Sequence, residues 1–465
     1  MIVDSNRIVP SPRVLVGSFF ALVLCAIGIS IACDAPLSYD GAFFFFSALD
    51  HHSFAAFHGR NINMLQQIPM FAVFRLTQNV HLLRIAYGAG YASVPGVCLG
   101  ASWLLCRRRN PSLFIWPAMA ICLASLPGQF SFHSEAIVAT TLMWPALLTI
   151  LVDGPWLLYV MFVAAAIESH PGAILPLAFT IAIAIAFARL RPQSRRTLVS
   201  IAAVGALLGV ARSFMPLDPY ELNTLSLHSV RFTFKVAVFG WPLIAVGFLW
   251  LAAAACLGSD RRLARRVMMA SIFASGVALV IWACHREDWW KAADFRYWAS
   301  PVSMILMACA TFESWWPRAA EKPSLRVRFA ALPVIGAIFF AVLAIQGLQW
   351  EQMSQRLTHE LVSSGRGCLP LSAVPWMRRT ALDHWSVTVY AIDLQGRQPT
   401  TLLLPDDRAC QTFEQTGDAL LAKSGKWEQV RRRGDGWFDL DAARATTTSS
   451  TADASDPSAQ PQSGR

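Results

Sequence analysis

The 465-residue chain is 55% hydrophobic and only 15% charged, with a mean hydropathy of +0.44. Soluble domains carry about 25% charged residues, so this composition excludes a soluble enzyme and indicates an integral membrane protein with many spans. The formal net charge of +10 is not a nucleic-acid signal, because the arginines fall in short clusters between apolar runs, the pattern that sets membrane topology.

Arg7 and Arg13 precede an apolar run over 14–33, and its length of about twenty residues is enough to cross a bilayer. A cleaved signal peptide would show a shorter apolar core and a small-residue cleavage site. Ser30-Ile31-Ala32-Cys33 lacks the aliphatic opening of a lipoprotein site, so the expected element is an uncleaved first helix. Further runs at 83–105, 111–128, 135–152, 155–168, 171–189, 197–215, 236–257, 267–284, 298–312 and 329–347 predict an all-α polytopic fold of about eleven transmembrane helices.

Orientation follows from the arginines. Strict alternation from a cytoplasmic N-terminus puts the clusters Arg107-Arg108-Arg109, 189–196, 261–266 and 318–328 on inside connections. The predicted location is therefore a multi-pass plasma (inner) membrane, with the C-terminus extracytoplasmic. The outside connections collect acids, histidines and tryptophans instead.

The first outside connection, from Asp34 to about Leu82, is the longest between spans and is expected to carry function or local helix. Phe43, Phe46 and Leu49, then Ile62, Leu65 and Ile68, recur at helical spacing. They predict one or two amphipathic helices lying in the membrane interface. Asp34 and Asp40 stand ahead of them, where the first span ends, and Tyr39 and Gly41 on either side of Asp40 suit a fixed turn. Asp40 is the expected catalytic acid, with Asp34 supporting or capping it.

His133 and Glu135 mark the turn between the third and fourth spans, and Glu168 and His170 the matching end of the fifth. Glu135 also suits a helix first turn, where a carboxylate favours the dipole. Ionisable residues at membrane depth are costly and default to functional candidates. With Asp40 these four have the residue types for a divalent metal, although no spacing here is a recognised metal motif; no other cofactor is indicated. The loop 284–298 is dense in charge and indole, and its Arg286 and Arg296 face outside, against the positive-inside tendency. They are candidates for holding a phosphate by paired hydrogen bonds, in competition with Arg60, Arg75 and Arg84.

The chain divides into a membrane domain over 1–350, a small extracytoplasmic α+β domain over 351–445 and a polar tail over 446–465 expected to be disordered. In the second unit, 385–391 alternates as a strand would and 400–404 reads as another, while Trp427, Trp437 and Phe438 are expected core residues. Cys368 and Cys410 are the two cysteines of this unit, and an even pair in an extracytoplasmic domain reads as a disulfide.

One span, then a long outside connection opening near Tyr39-Asp40-Gly41, resembles the C-type glycosyltransferases, the polytopic enzymes of the GT-C fold. His133-Ser134-Glu135 and Glu168-Ser169-His170-Pro171 are also similar to outer-face motifs of that superfamily. The first loop holds no Asp-x-Asp or Asp-Glu pair, a departure from the pattern. The resemblance covers the arrangement of residues 1–350. It implies transfer of a sugar from a polyprenyl-phosphate carrier to a glycan or lipid acceptor on the extracytoplasmic face. Asp40 would serve as base, Arg296 or a metal would stabilise the departing phosphate, and the run Phe43–Phe46 would touch the isoprenoid tail. Two other classes compete: a transporter or flippase for a lipid-linked or polyanionic substrate, and a noncatalytic membrane subunit or sensor. The charges cluster at outside ends rather than mid-span, which disfavours the transporter.

Overall fold

The computed structural model describes residues 11–38, 40–55, 61–124, 135–214, 296–315, 325–379, 386–424, 427–432 and 436–445. The apolar runs at 236–257 and 267–284 and the tail over 446–465 lie outside the described residues.

The chain begins with α1 (Pro12–Ala32), α2 (Asp40–Asp50), α3 (Ile62–Phe74) and α4 (Val80–Arg109). A 3-10 turn over Pro111–Phe114 leads into the short α5 (Ile115–Met119), which continues as one π-helical turn over Ala120–Ala124. Then follow α6 (Glu135–Leu151), α7 (Trp156–Ser169), α8 (Ile174–Leu190), α9 (Arg195–Ser213), α10 (Arg296–Trp315) and α11 (Leu325–Ser363). Each apolar run within the described residues thus falls on helix. Four helical stretches among them are long and apolar enough to cross a membrane: Pro12–Ala32, Val80–Arg109, Pro192–Arg212 and Arg328–Ser363. The other apolar helices are shorter.

The packing follows from where the apolar surface lies. The helix α6 is buried on nearly every side, as expected of a helix that is hydrophobic all round. It packs between α4, α7 and α10, and its Trp144 Nε1 donates to Ser303 Oγ of α10 at 2.8 Å. The helix α1 lies along α11, and α8 along α9. On the outer helices, large apolar side chains such as Leu24, Val97, Leu175 and Leu207 are exposed. Outward apolar faces of this kind suit a hydrocarbon solvent.

The ends of the bundle differ in chemistry. At one end, Arg109 donates to the backbone carbonyls of Val152 and Asp153. Arg191 pairs with Asp153 at 3.3 Å, and Arg328 with Glu313 at 2.7 Å. Glu313 also accepts from Trp116 Nε1 at 2.8 Å. The basic clusters of several connections therefore gather at one end and bind carbonyls that the helix termini leave unpaired.

The opposite end carries the small domain. There α11 runs unbroken past 350 to Ser363 and leads into β1 (Cys368–Pro370), α12 (Val387–Gln395) and β2 (Leu402–Leu404). The strands β1 and β2 pair in parallel, with Cys368 opposite Leu402 and Pro370 opposite Leu404. After them come α13 (Asp407–Thr416) and the antiparallel pair β3 (Ala419–Ser424) and β4 (Trp427–Arg431). The expected disulfide joins Cys368 to Cys410, Cα to Cα 5.6 Å, and ties β1 to α13.

Two expectations need correction. The segment at 385–391 was expected to be a strand because it alternates, yet Val387–Gln395 is helix. Residues Val387 to Asp393 are all buried, so alternation there does not mark one exposed face. Parallel β1 and β2 also need a crossover between them, which a helix supplies. The first-loop helices exist, but α2 does not lie in an interface. Gly41 to Asp50 are all buried, beneath α12 and the segment at 436–438. Phe45 meets Tyr87 at 5.3 Å and Phe46 stacks on Phe438 at 4.7 Å. The four phenylalanines are thus protein core.

Candidate functional site

The stretch after α1 is built to redirect the chain. The amide of Cys33 closes the helix by donating to Ile29 O. Asp34 then adopts a left-handed conformation, φ 54° and ψ 24°, and Ala35–Leu37 make one 3-10 turn before α2. Few residue types tolerate that conformation, and aspartate is among them. The turn brings Asp34 against the first turns of α4, where its Oδ2 lies 3.2 Å from Nη1 of Arg84.

These residues form one wall of a cleft of about 650 Å³. His81 and Arg84 come from α4, and Leu394 of α12 contributes apolar surface. The opposite wall is the extension of α11, from which Glu351, Ser354, Gln355, Thr358, His359 and Val362 reach the cleft. Their spacing of three, one, three, one and three residues is a single helix face. Two carboxylates, two imidazoles, a guanidinium and the three hydroxyls of Ser354, Thr358 and Ser363 therefore line a space open at the end of an apolar bundle. Such a set can bind a phosphate and sugar hydroxyls together.

Burial raises the Asp34 carboxyl above its ordinary value; Arg84 and His81 oppose that shift, and Glu351 adds to it. A carboxylate shifted toward neutrality and placed on a cleft is a candidate general base. Nε of Arg84 has no hydrogen-bond partner, so the guanidinium retains a donor besides the Nη1 that faces Asp34.

Next to the cleft, Asp393 of α12 is fully buried and neither carboxylate oxygen has a hydrogen-bond partner. Burial holds its carboxyl well above the ordinary range; Arg84 acts against that, while Asp34 and Asp50 add to it. Asp50 ends α2 and docks the last segment of the small domain. Its Oδ1 accepts from the amides of Trp437 at 2.9 Å and Phe438 at 3.3 Å, and lies 3.4 Å from Arg431.

The expected site residues divide among several places. Asp34 lines the cleft, whereas Asp40 begins α2 and does not line it. Glu135 is buried at the start of α6, Glu168 accepts from Asn61 Nδ2 at 2.7 Å, and His170 Nδ1 accepts from the Gly172 amide at 2.9 Å. None of these three reaches the cleft. Arg296 begins α10. Arg60, His133 and Arg286 lie outside the described residues. Among the described residues, no group of three or more His, Cys, Asp or Glu is arranged to hold a metal ion. His81, Glu351, His359 and Asp393 were not anticipated. For Glu351 and His359 the signal was present, since a helix continued past 350 puts both on one face. The chain matches no family model, no curated protein and no solved structure in comparisons with each.

Proposed function

We propose that the chain is an integral membrane glycosyltransferase that moves a sugar from a polyprenyl-phosphate carrier to an acceptor on the extracytoplasmic face. The observation that supports this reading is the cleft between α1, α4 and α11, where Asp34 and Arg84 meet at the edge of the apolar bundle. A lipid-linked phosphosugar needs that combination: hydrocarbon surface for the carrier and cation donors for the phosphate, with a carboxylate for the acceptor. In this reading Asp34, rather than Asp40, is the base.

The step is an inverting displacement. The acceptor hydroxyl gives its proton to the Asp34 carboxylate while its oxygen bonds to the anomeric carbon. The bond from that carbon to the phosphate oxygen breaks, and the carrier leaves as polyprenyl phosphate. Arg84 donates to the phosphate oxygens, whose charge rises as the bond breaks. No metal is assigned to this step.

The test is purified full-length protein in nanodiscs with radiolabelled undecaprenyl-phosphate hexose and an envelope lipid and glycan extract as acceptor. Label appearing on acceptor, with release of undecaprenyl phosphate, is the expected result. Asp34→Asn should abolish it without changing the elution profile. Movement of intact carrier lipid across the bilayer, with no release of phosphate, would overturn the transferase reading in favour of a flippase.

A further inference from the structure

The helix α3 is inverted relative to a helix on a water-soluble surface. Its buried residues are Asn63, Gln66, Gln67 and Met70, while Leu65 and Ile68 are exposed. Gln67 uses its amide fully, donating to Ala55 O at 2.9 Å and accepting from the Ala55 amide at 2.9 Å. Gln66 does not. It is 6% exposed, and neither its Nε2 nor its Oε1 has a hydrogen-bond partner. An unpaired buried amide is costly, and a side chain kept in that state calls for an explanation.

Gln66 borders a groove of about 190 Å³ between α3, α4 and α6, whose other side chains are Ile62, Leu65, Val94, Val138 and Leu142. Gly90, which also lines the groove, lets α3 pack close against α4; a Cβ there would lie 1.8 Å from the Gln66 carbonyl oxygen. The groove therefore has apolar walls bordered by one buried amide whose donor and acceptor are both unpartnered.

We propose that this groove binds a hydrocarbon chain that carries a hydroxyl group. The walls suit methylene groups, and the volume suits a chain segment rather than a whole headgroup. A hydroxyl both accepts from Gln66 Nε2 and donates to its Oε1; an ether or ester oxygen can only accept. Exposed Leu65 at the rim gives the chain access from the surrounding apolar phase. The site is separate from the cleft at Asp34 and does not depend on the glycosyl-transfer reading.

The experiment uses the full chain in nanodiscs with a diazirine-bearing long-chain alcohol and, in parallel, its methyl ether. After illumination, labelling of peptides from α3 and α6 is quantified by mass spectrometry. The alcohol should label these peptides about fivefold more than the ether, the worth of one added hydrogen bond. In Gln66→Leu the two probes should label equally, while the thermal midpoint stays at or above that of the wild type because an unpaired amide has been removed. Val94→Phe, which fills the groove and spares Gln66, should reduce labelling by both probes. Equal labelling of the wild type by alcohol and ether overturns the proposal, as does a preference that survives in Gln66→Leu or labelling unchanged in Val94→Phe.

Discussion

Asp34 Oδ2 and Arg84 Nη1 stand 3.2 Å apart, with their side chains only 17% and 13% exposed. The pair joins the end of the first helix to the start of the fourth across the whole length of the first connection. Arg84 holds the Asp34 carboxyl down against the upward push of burial. Removing the guanidinium therefore raises the pH at which Asp34 loses its proton. For a base that must be ionised, Arg84→Gln should shift the acid limb of the transfer pH–rate profile upward as well as lower the rate. An unshifted limb would mean that Asp34 is not the titrating group.

The Asp50 contacts predict how the small domain is held down. Asp50→Ala leaves the amides of Trp437 and Phe438 without their acceptor and removes the ion pair with Arg431. The loss should be about 2–4 kcal/mol, the usual cost of breaking a buried charged network. Gly436→Ala should act in the same direction, because its Cβ would fall 2.2 Å from Asp50 Oδ1 at a backbone φ of +87°. Limited proteolysis reports the effect as faster cutting C-terminal to β4 while the helical bundle stays intact.

The Cys368–Cys410 bond spans a sequence separation of 42 residues. Chain-entropy reasoning gives about 4 kcal/mol for a loop of that length, as an upper value. Cys368→Ala, or reduction under non-denaturing conditions, should lower the unfolding midpoint of the small domain by an amount consistent with that figure. Differential scanning calorimetry in detergent would show it.

Asp393 supplies a pH dependence. Its carboxyl in the folded protein sits well above the unfolded value of about 3.9, so the fold holds that proton more tightly than the unfolded chain does. The associated stability is complete below the unfolded value and falls as pH rises through the folded one. The charges facing it are Arg84, Asp34 and Asp50, and the two acids shift in the same direction. Comparison with Asp393→Asn isolates the Asp393 share. The variant should lose less thermal stability than the wild type between pH 5 and pH 8.

Much of the helical architecture was legible because hydrocarbon length and helix rise are linked. The runs beginning near 14, 83, 135 and 171 became helices at nearly the expected bounds, while the one beginning near 329 continues to Ser363, well past its expected end at 347. The disulfide was legible for a similar reason, since only two cysteines lie in the C-terminal unit. The strand expected at 385–391 failed because both faces of that segment are covered, and a two-residue alternation then carries no information about period. The phenylalanine run failed as a membrane contact for the same reason: hydrophobicity marks burial but not what does the burying.

The sequence by itself determined that the chain is apolar enough for a membrane, where most of the described bundle helices lie and that Cys368 pairs with Cys410. Those properties depend on local composition and spacing. Only the tertiary structure decided that Asp34, and not Asp40, shares a cleft with Arg84, Glu351 and His359. The left-handed conformation of Asp34 and the 3-10 turn that follows it, within the five residues between the two acids, send them to different surroundings. Glu351 lies more than three hundred positions from Asp34 along the chain, and α11 carries it back beside the end of α1. Contacts between such distant residues depend on how whole helices pack, which no local pattern encodes.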